Sequence, residues 1–118
     1  MNISNQVSLI GNLGKDFELK DFGNGRKMAK STFATNESFK NKEGEYVQKT
    51  EWHTIIAWGK KAEILSGITR KGSSIALTGK IIYNKYEDKE GNKRSKTEIQ
   101  VMDFKLLDKK KVEETAPF

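Results

Sequence analysis

Apolar and polar residues alternate along most of this 118-residue chain, and the alternation is broken at glycine-centred turns, a pattern that predicts antiparallel β-structure. The first strand is expected over about Ser4 to Leu13, with Val7 and Leu9 alternating against Gln6 and Ser8, and Gly11 and Gly14 breaking it. A loop or short strand follows from Lys15 to Phe22. Asn24-Gly25 then predicts a type I′ hairpin turn, since that turn needs positive φ at both central residues. A second strand is expected over about Lys27 to Glu37 and a third over about Val47 to Gly59, joined by the polar segment Asn41 to Glu45. The period then changes. Ala62, Leu65 and Ile68, with Ile64 adjacent, fall at helical spacing between Lys60 and Thr69, and Lys71-Gly72 supplies a stop. A fourth strand over about Ser73 to Tyr86 and a fifth over about Arg94 to Phe104 are joined by a turn at Lys89 to Asn92.

Five strands with one helix between strands three and four is the order of an OB-fold barrel, so the expected class is all-β. Residues 1–107 are read as that domain and residues 108–118 as a short tail ending in Pro117-Phe118. In the third strand, period two places Trp52, Thr54, Ile56 and Trp58 on one face and His53, Ile55 and Ala57 on the other. Tryptophan is highly buried on average, which favours a core role for both. A small barrel has little interior volume, however, and His53, Ile55 and Ala57 suit it better, leaving Trp52 and Trp58 on the outer face. In the fourth strand Ile75, Leu77 and Ile81 share one parity, and Lys80 and Tyr86 share the other, toward solvent. In the second, Ala29, Ser31 and Phe33 face inward, and Phe39 has the same parity unless the strand bends at Asn36-Glu37-Ser38.

Composition narrows the chemistry. There is no cysteine, which excludes disulfides, thiolate metal sites and cysteine nucleophiles. With one histidine and no nucleophile motif the chain is read as non-enzymatic, with neither cofactor nor metal. Gly23-x-Gly25 lacks the third glycine of a dinucleotide fingerprint, and Asp88-x-Glu90-Gly91 lacks the full calcium-loop pattern, so both are read as turns. The N-terminus shows no signal-peptide pattern and no apolar run approaches membrane-spanning length, so a soluble, cytoplasmic protein is expected. The net charge of +6, from 22 Lys and Arg against 16 Asp and Glu, favours a polyanionic partner. Aromatic rings spaced along a basic face are what an unpaired nucleic-acid strand requires: bases stack on the rings and cations follow the phosphates.

The local sequences are specific. Asn5-Gln6-Val7-Ser8-Leu9-Ile10-Gly11-Asn12-Leu13-Gly14, Phe33-Ala34-Thr35-Asn36-Glu37-Ser38-Phe39, Thr50-Glu51-Trp52-His53, Trp58-Gly59-Lys60, Lys71-Gly72-Ser73 and Thr97-Glu98-Ile99 together resemble the bacterial single-stranded DNA-binding proteins, from Asn5 to about Leu107. The resemblance implies an OB barrel assembled as a homotetramer, associated with the nucleoid. It implies sequence-tolerant binding and protection of single-stranded DNA in replication, recombination and repair. Base-stacking rings then fall at Phe39, Trp52, Trp58 and Tyr86, and the exposure of Phe39 rests on the resemblance alone. Lys60, Lys80 and Lys85, with Lys93 and Arg94 in the last hairpin, are the candidate phosphate contacts. His53 matches a subunit-interface histidine, and an inert buried histidine fits the sequence equally.

Two departures from the family stand out. Phe17 occupies a position where proline is common. The long Gly/Pro/Gln-rich linker is nearly absent, and the acidic tip is reduced to Glu113-Glu114-Thr115-Ala116 before Pro117-Phe118, so recruitment of replication and repair proteins is expected in weakened form. Two other readings stay open: a primosomal-type OB module that binds protein, and an RNA-preferring OB protein, since stacking and phosphate contacts do not distinguish the sugars.

Overall fold

A computed structural model describes residues 4–107, which form six strands and one helix. These are β1 (Val7–Leu13), β2 (Glu18–Asp21), β3 (Lys27–Lys40), β4 (Tyr46–Trp58), α1 (Lys60–Ile68), β5 (Ser74–Glu87) and β6 (Lys93–Leu106). The sheet order is β1-β5-β6-β4-β3-β2, and an additional β1–β3 pairing at Asn12↔Ala34 and Leu13↔Phe33 closes five of the strands into a barrel. All pairings are antiparallel except β4 with β6, where Ile55 meets Ile99 and Ile56 meets Gln100. This is the expected OB-fold barrel, with β2 added as a short extra strand along β3.

The strand limits follow local chemistry. The first strand begins at Val7 rather than Ser4 because Asn5 takes the place of a ladder residue through its side chain: its Nδ2 donates to Ile81 O and its Oδ1 accepts from Ile81 N, both at 3.0 Å. Asn24 (φ 55°) and Gly25 (φ 77°) form the type I′ turn, closed by Arg26 N donating to Gly23 O at 3.0 Å.

The core is the inward parity of the barrel strands: Leu13, Ala29, Phe33, Ile55, Ala57, Ile75, Leu77, Ile99 and Val101. Phe17 packs against its edge. From α1, Ala62 and Leu65 join this cluster, whereas Ile64 and Ile68, which the helical spacing groups with them, are exposed. Nine residues of helix are anchored from one side only, by β3, β4 and β2, so a single narrow stripe is buried. The Lys27 amine donates to Glu63 Oε1 at 2.6 Å and ties the helix to β3; this bond, with the charge attraction, raises the Lys27 pKa above its ordinary value.

A β-bulge between Thr78 and Gly79 leaves Met102 as the extra residue, because Gly79 pairs with Val101 and Thr78 with Asp103. The bulge shifts parity along β6. Ile99 and Val101 face inward before it, and Phe104 and Leu106 pack on the core after it. No helix among the described residues is long and apolar enough to cross a membrane.

Candidate nucleic-acid interface

Trp52 and Trp58 stand on the outside of the barrel, 64% and 38% exposed, while Ile55 and Ala57 between them point inward and are buried. His53 is half-buried on the inward parity, with its Nε2 3.0 Å from Thr35 Oγ1. Ile56 shares the outward parity with the tryptophans yet is buried. It lies between Lys30 of β3 and Gln100 of β6, whose long side chains flank it on both neighbouring strands.

The Trp52 ring is seated on glycine. A Cβ at Gly14 would lie 2.5 Å from Trp52 Cζ3 and 2.5 Å from Thr32 Oγ1, so only glycine lets the indole rest there. The second ring has an aromatic neighbour: the centroids of Trp58 and Phe22 are 6.2 Å apart, with planes inclined by 30°.

Two hairpins carry the remaining candidates beyond the barrel. The β3–β4 ladder runs without a bulge from Met28↔Trp58 to Lys40↔Tyr46. Phe39 therefore keeps the inward parity of Phe33, and no bend turns it outward. It is exposed because the hairpin extends past the core, whose buried residues end at Ala34 on β3 and begin at Ile55 on β4. Directly paired residues share a face, so Phe39 and Val47 stand on one face, and Trp52 and Tyr46 stand on the other. In the β5–β6 hairpin, Lys80, Tyr86 and Arg94 share the outward face with Gln100, while Lys85 and Lys93 stand on the reverse. An open groove at the hairpin end brings Lys85, Tyr86, Lys93 and Arg94 together despite their parity. Lys60 is exposed at the first position of α1. Pro117 and Phe118 lie outside the described residues.

Sequence reading missed three features of this surface. Tyr46, 79% exposed and with Lys40 Nζ 6.0 Å from its ring centroid, extends the face of Trp52. Its parity with residues 52 and 58 was the available signal. Phe22 closes the segment from Lys15 to Phe22, where no alternation marks it out. The third is Glu98, which has outward parity yet is 3% exposed. Its carboxylate lies 3.1 Å from Lys30 Nζ and 4.0 Å from Lys96 Nζ, and accepts from Asn84 Nδ2. Two amines thus converge on one carboxylate. Lys30 is raised above the ordinary lysine value by the Lys96 amine and Glu98, and Lys96 is lowered by Lys30 and by desolvation. Pattern alone cannot find a buried carboxylate on a solvent-facing parity, because its burial comes from the long side chains of neighbouring strands.

A family model described as the single-strand binding protein family matches residues 4–107. The chain is 39% identical over 104 residues to single-stranded DNA-binding protein 1 of Chlorobaculum tepidum, a match covering 87% of this chain and 64% of that one. In three dimensions it resembles a deletion and substitution variant of the single-stranded DNA binding protein from Thermus aquaticus, with a TM-score of 0.77 at 24% identity, covering 88% of this chain and 50% of that one. The matched region is therefore less than two thirds of the length of either relative.

Proposed function

Since the chain belongs to the single-strand binding protein family, we propose that it binds and protects single-stranded DNA by stacking bases on exposed rings and neutralising phosphates with Lys and Arg. The observation that carries this reading is the pair of exposed tryptophans on the outer face of an OB barrel, with Tyr86 and Arg94 on the same side. Trp52, Trp58, Tyr86 and Phe39 are the stacking rings in this reading. Phe39 serves a strand that passes around the hairpin, since it stands on the reverse face. Lys60, Lys80, Lys85, Lys93 and Arg94 serve the phosphates. The chemistry required is reversible binding, with no bond made or broken, and the setting is replication, recombination and repair at the bacterial nucleoid.

A homotetramer belongs to the same proposal. On β1, pairing with β3 reaches only Asn12 and Leu13, and Gly11 packs against the Ala34 backbone, so Val7 to Ile10 keep one edge without a strand among the described residues, and the Ile10 side chain is exposed. An open edge beside an exposed isoleucine favours a second copy of the chain. His53 is assigned to a subunit interface by family resemblance. Recruitment of repair and replication proteins through Pro117 and Phe118 rests on resemblance in the same way.

Equilibrium binding of labelled oligo-dT, duplex DNA and oligo-rU across a salt series tests the reading. Binding to oligo-dT well above the other two is expected, weakening with salt at a log-log slope of about −0.7 per neutralised phosphate. Preference for oligo-rU would make this an RNA-binding OB protein, and binding to no strand would leave a protein-binding module.

A further inference from the structure

We propose that Phe22 is an additional base-stacking residue, forming with Trp58 a two-ring platform at the β2 end of the outer face. This rests on the single-strand reading above and extends it to a position that neither the alternation of the strands nor the family resemblance singles out.

Phe22 sits at the foot of the β2–β3 hairpin, where its backbone N donates to Arg26 O at 2.7 Å and the next residue, Gly23, donates from N to Asp21 Oδ1 at 2.8 Å. The hairpin therefore fixes the Phe22 backbone on both sides. All four residues of β2 are exposed, and the Phe22 ring is 54% exposed, so it is not a core residue held back by the barrel. Its ring neighbour is Trp58, which remains exposed despite the contact. At a centroid distance of 6.2 Å and a 30° inclination the rings are tilted and too far apart for a close face-to-face stack, and both remain substantially exposed. Two such rings can receive two successive bases of one strand.

Cations border the pair. Arg26, exposed, is bonded through its carbonyl to Phe22, and Lys60 follows Trp58 by two residues, in a segment where Gly59 N donates to Lys27 O at 2.8 Å. A strand crossing from Trp58 to Phe22 would carry its phosphates past these two side chains. A purely structural role, in which Phe22 shields one edge of Trp58, needs only apolar bulk. Stacking needs an aromatic face, and that difference is testable.

The experiment compares oligo-dT affinity of the full chain with that of Phe22→Ala, Phe22→Leu and Phe22→Tyr, with a thermal melt of each variant to show that the fold is retained. The expected result is a loss of about five- to a hundredfold in both Phe22→Ala and Phe22→Leu, the effect of one base-ring stack, with affinity restored in Phe22→Tyr. The salt slope should be the same in all four proteins, because no phosphate contact is removed. Wild-type affinity in Phe22→Leu, or a loss in Phe22→Tyr equal to that in Phe22→Leu, overturns the assignment while leaving the single-strand reading intact. Failure of the wild-type chain itself to bind oligo-dT overturns both.

Discussion

The Trp52 ring lies against Gly14, and this contact connects one backbone position on β1's exit to the exposed face. An exposed side chain is useful as a platform only when its orientation is fixed, since ordering a free rotor on binding costs conformational entropy. Gly14→Ala would drive a methyl group into both the indole and the Thr32 hydroxyl, so the ring must move. The expected outcome is weaker oligo-dT binding by up to about 1–3 kcal/mol, the range for losing one stacked base. A double-mutant cycle with Trp52→Ala checks it: once Trp52 is gone, Gly14→Ala should cost little further affinity. At the same scale Glu98 shows that the cations of this surface are not equivalent. Lys30 is held by a buried carboxylate, whereas Lys80 and Lys60 are exposed.

Hairpins that outrun the barrel decide which rings are available. Their residues are exposed on both faces, so their shape depends on the ladder and on their turns rather than on a core. In the β5–β6 hairpin the turn is held by Asp88, whose Oδ1 accepts from Glu90 N at 3.0 Å and Asn92 N at 2.9 Å while Oδ2 accepts from Arg94 Nε at 2.9 Å. Arg94, and then the Asn92 amide, hold the Asp88 pKa below its ordinary value of 3.8. A depressed carboxylate stabilises the folded form above the ordinary value and loses that contribution as pH falls through its folded pKa. The protection factors of the Glu90 and Asn92 amides, which divide out the pH dependence of intrinsic exchange, should therefore be steady from neutral pH down to about that ordinary value and fall below it. In Asp88→Asn they should be lowered at neutral pH as well. Wild-type protection factors that do not change in acid would contradict the Asp88 anchor.

At this scale much of the molecule was legible in the sequence. Alternation located every barrel strand, because each has one buried and one wet face, and the Asn24-Gly25 turn followed from its φ requirement. Parity put Trp52 and Trp58 on one face, and the small interior of the barrel made that the outer face, where both are exposed. Alternation could not show the bulge at Met102, which is a mismatch between two strands rather than a feature of one. Nor could it show that Phe39 is exposed with its parity unchanged, since that depends on how far the barrel extends beneath the hairpin. Phe22 escaped because its significance lies in a contact with Trp58, 36 positions along the chain.

For the whole molecule, a closed barrel separates the two demands made on its strands. Inward residues hold the fold together, and outward residues are free to carry rings and charge, with a net charge of +6 supplying long-range attraction to a polyanion. The chain has only two tryptophans, both on the outer face, so its own fluorescence reports directly on that face. The most direct measurement is quenching by oligo-dT in the two single-tryptophan variants, Trp52→Phe and Trp58→Phe, each of which leaves one indole as the reporter and a ring at the other site. Saturable quenching of both reporters at the same oligonucleotide concentration is the predicted result, with stacked bases against each indole. Binding detected through a labelled strand while both tryptophans stay unquenched would place the DNA elsewhere and contradict the account.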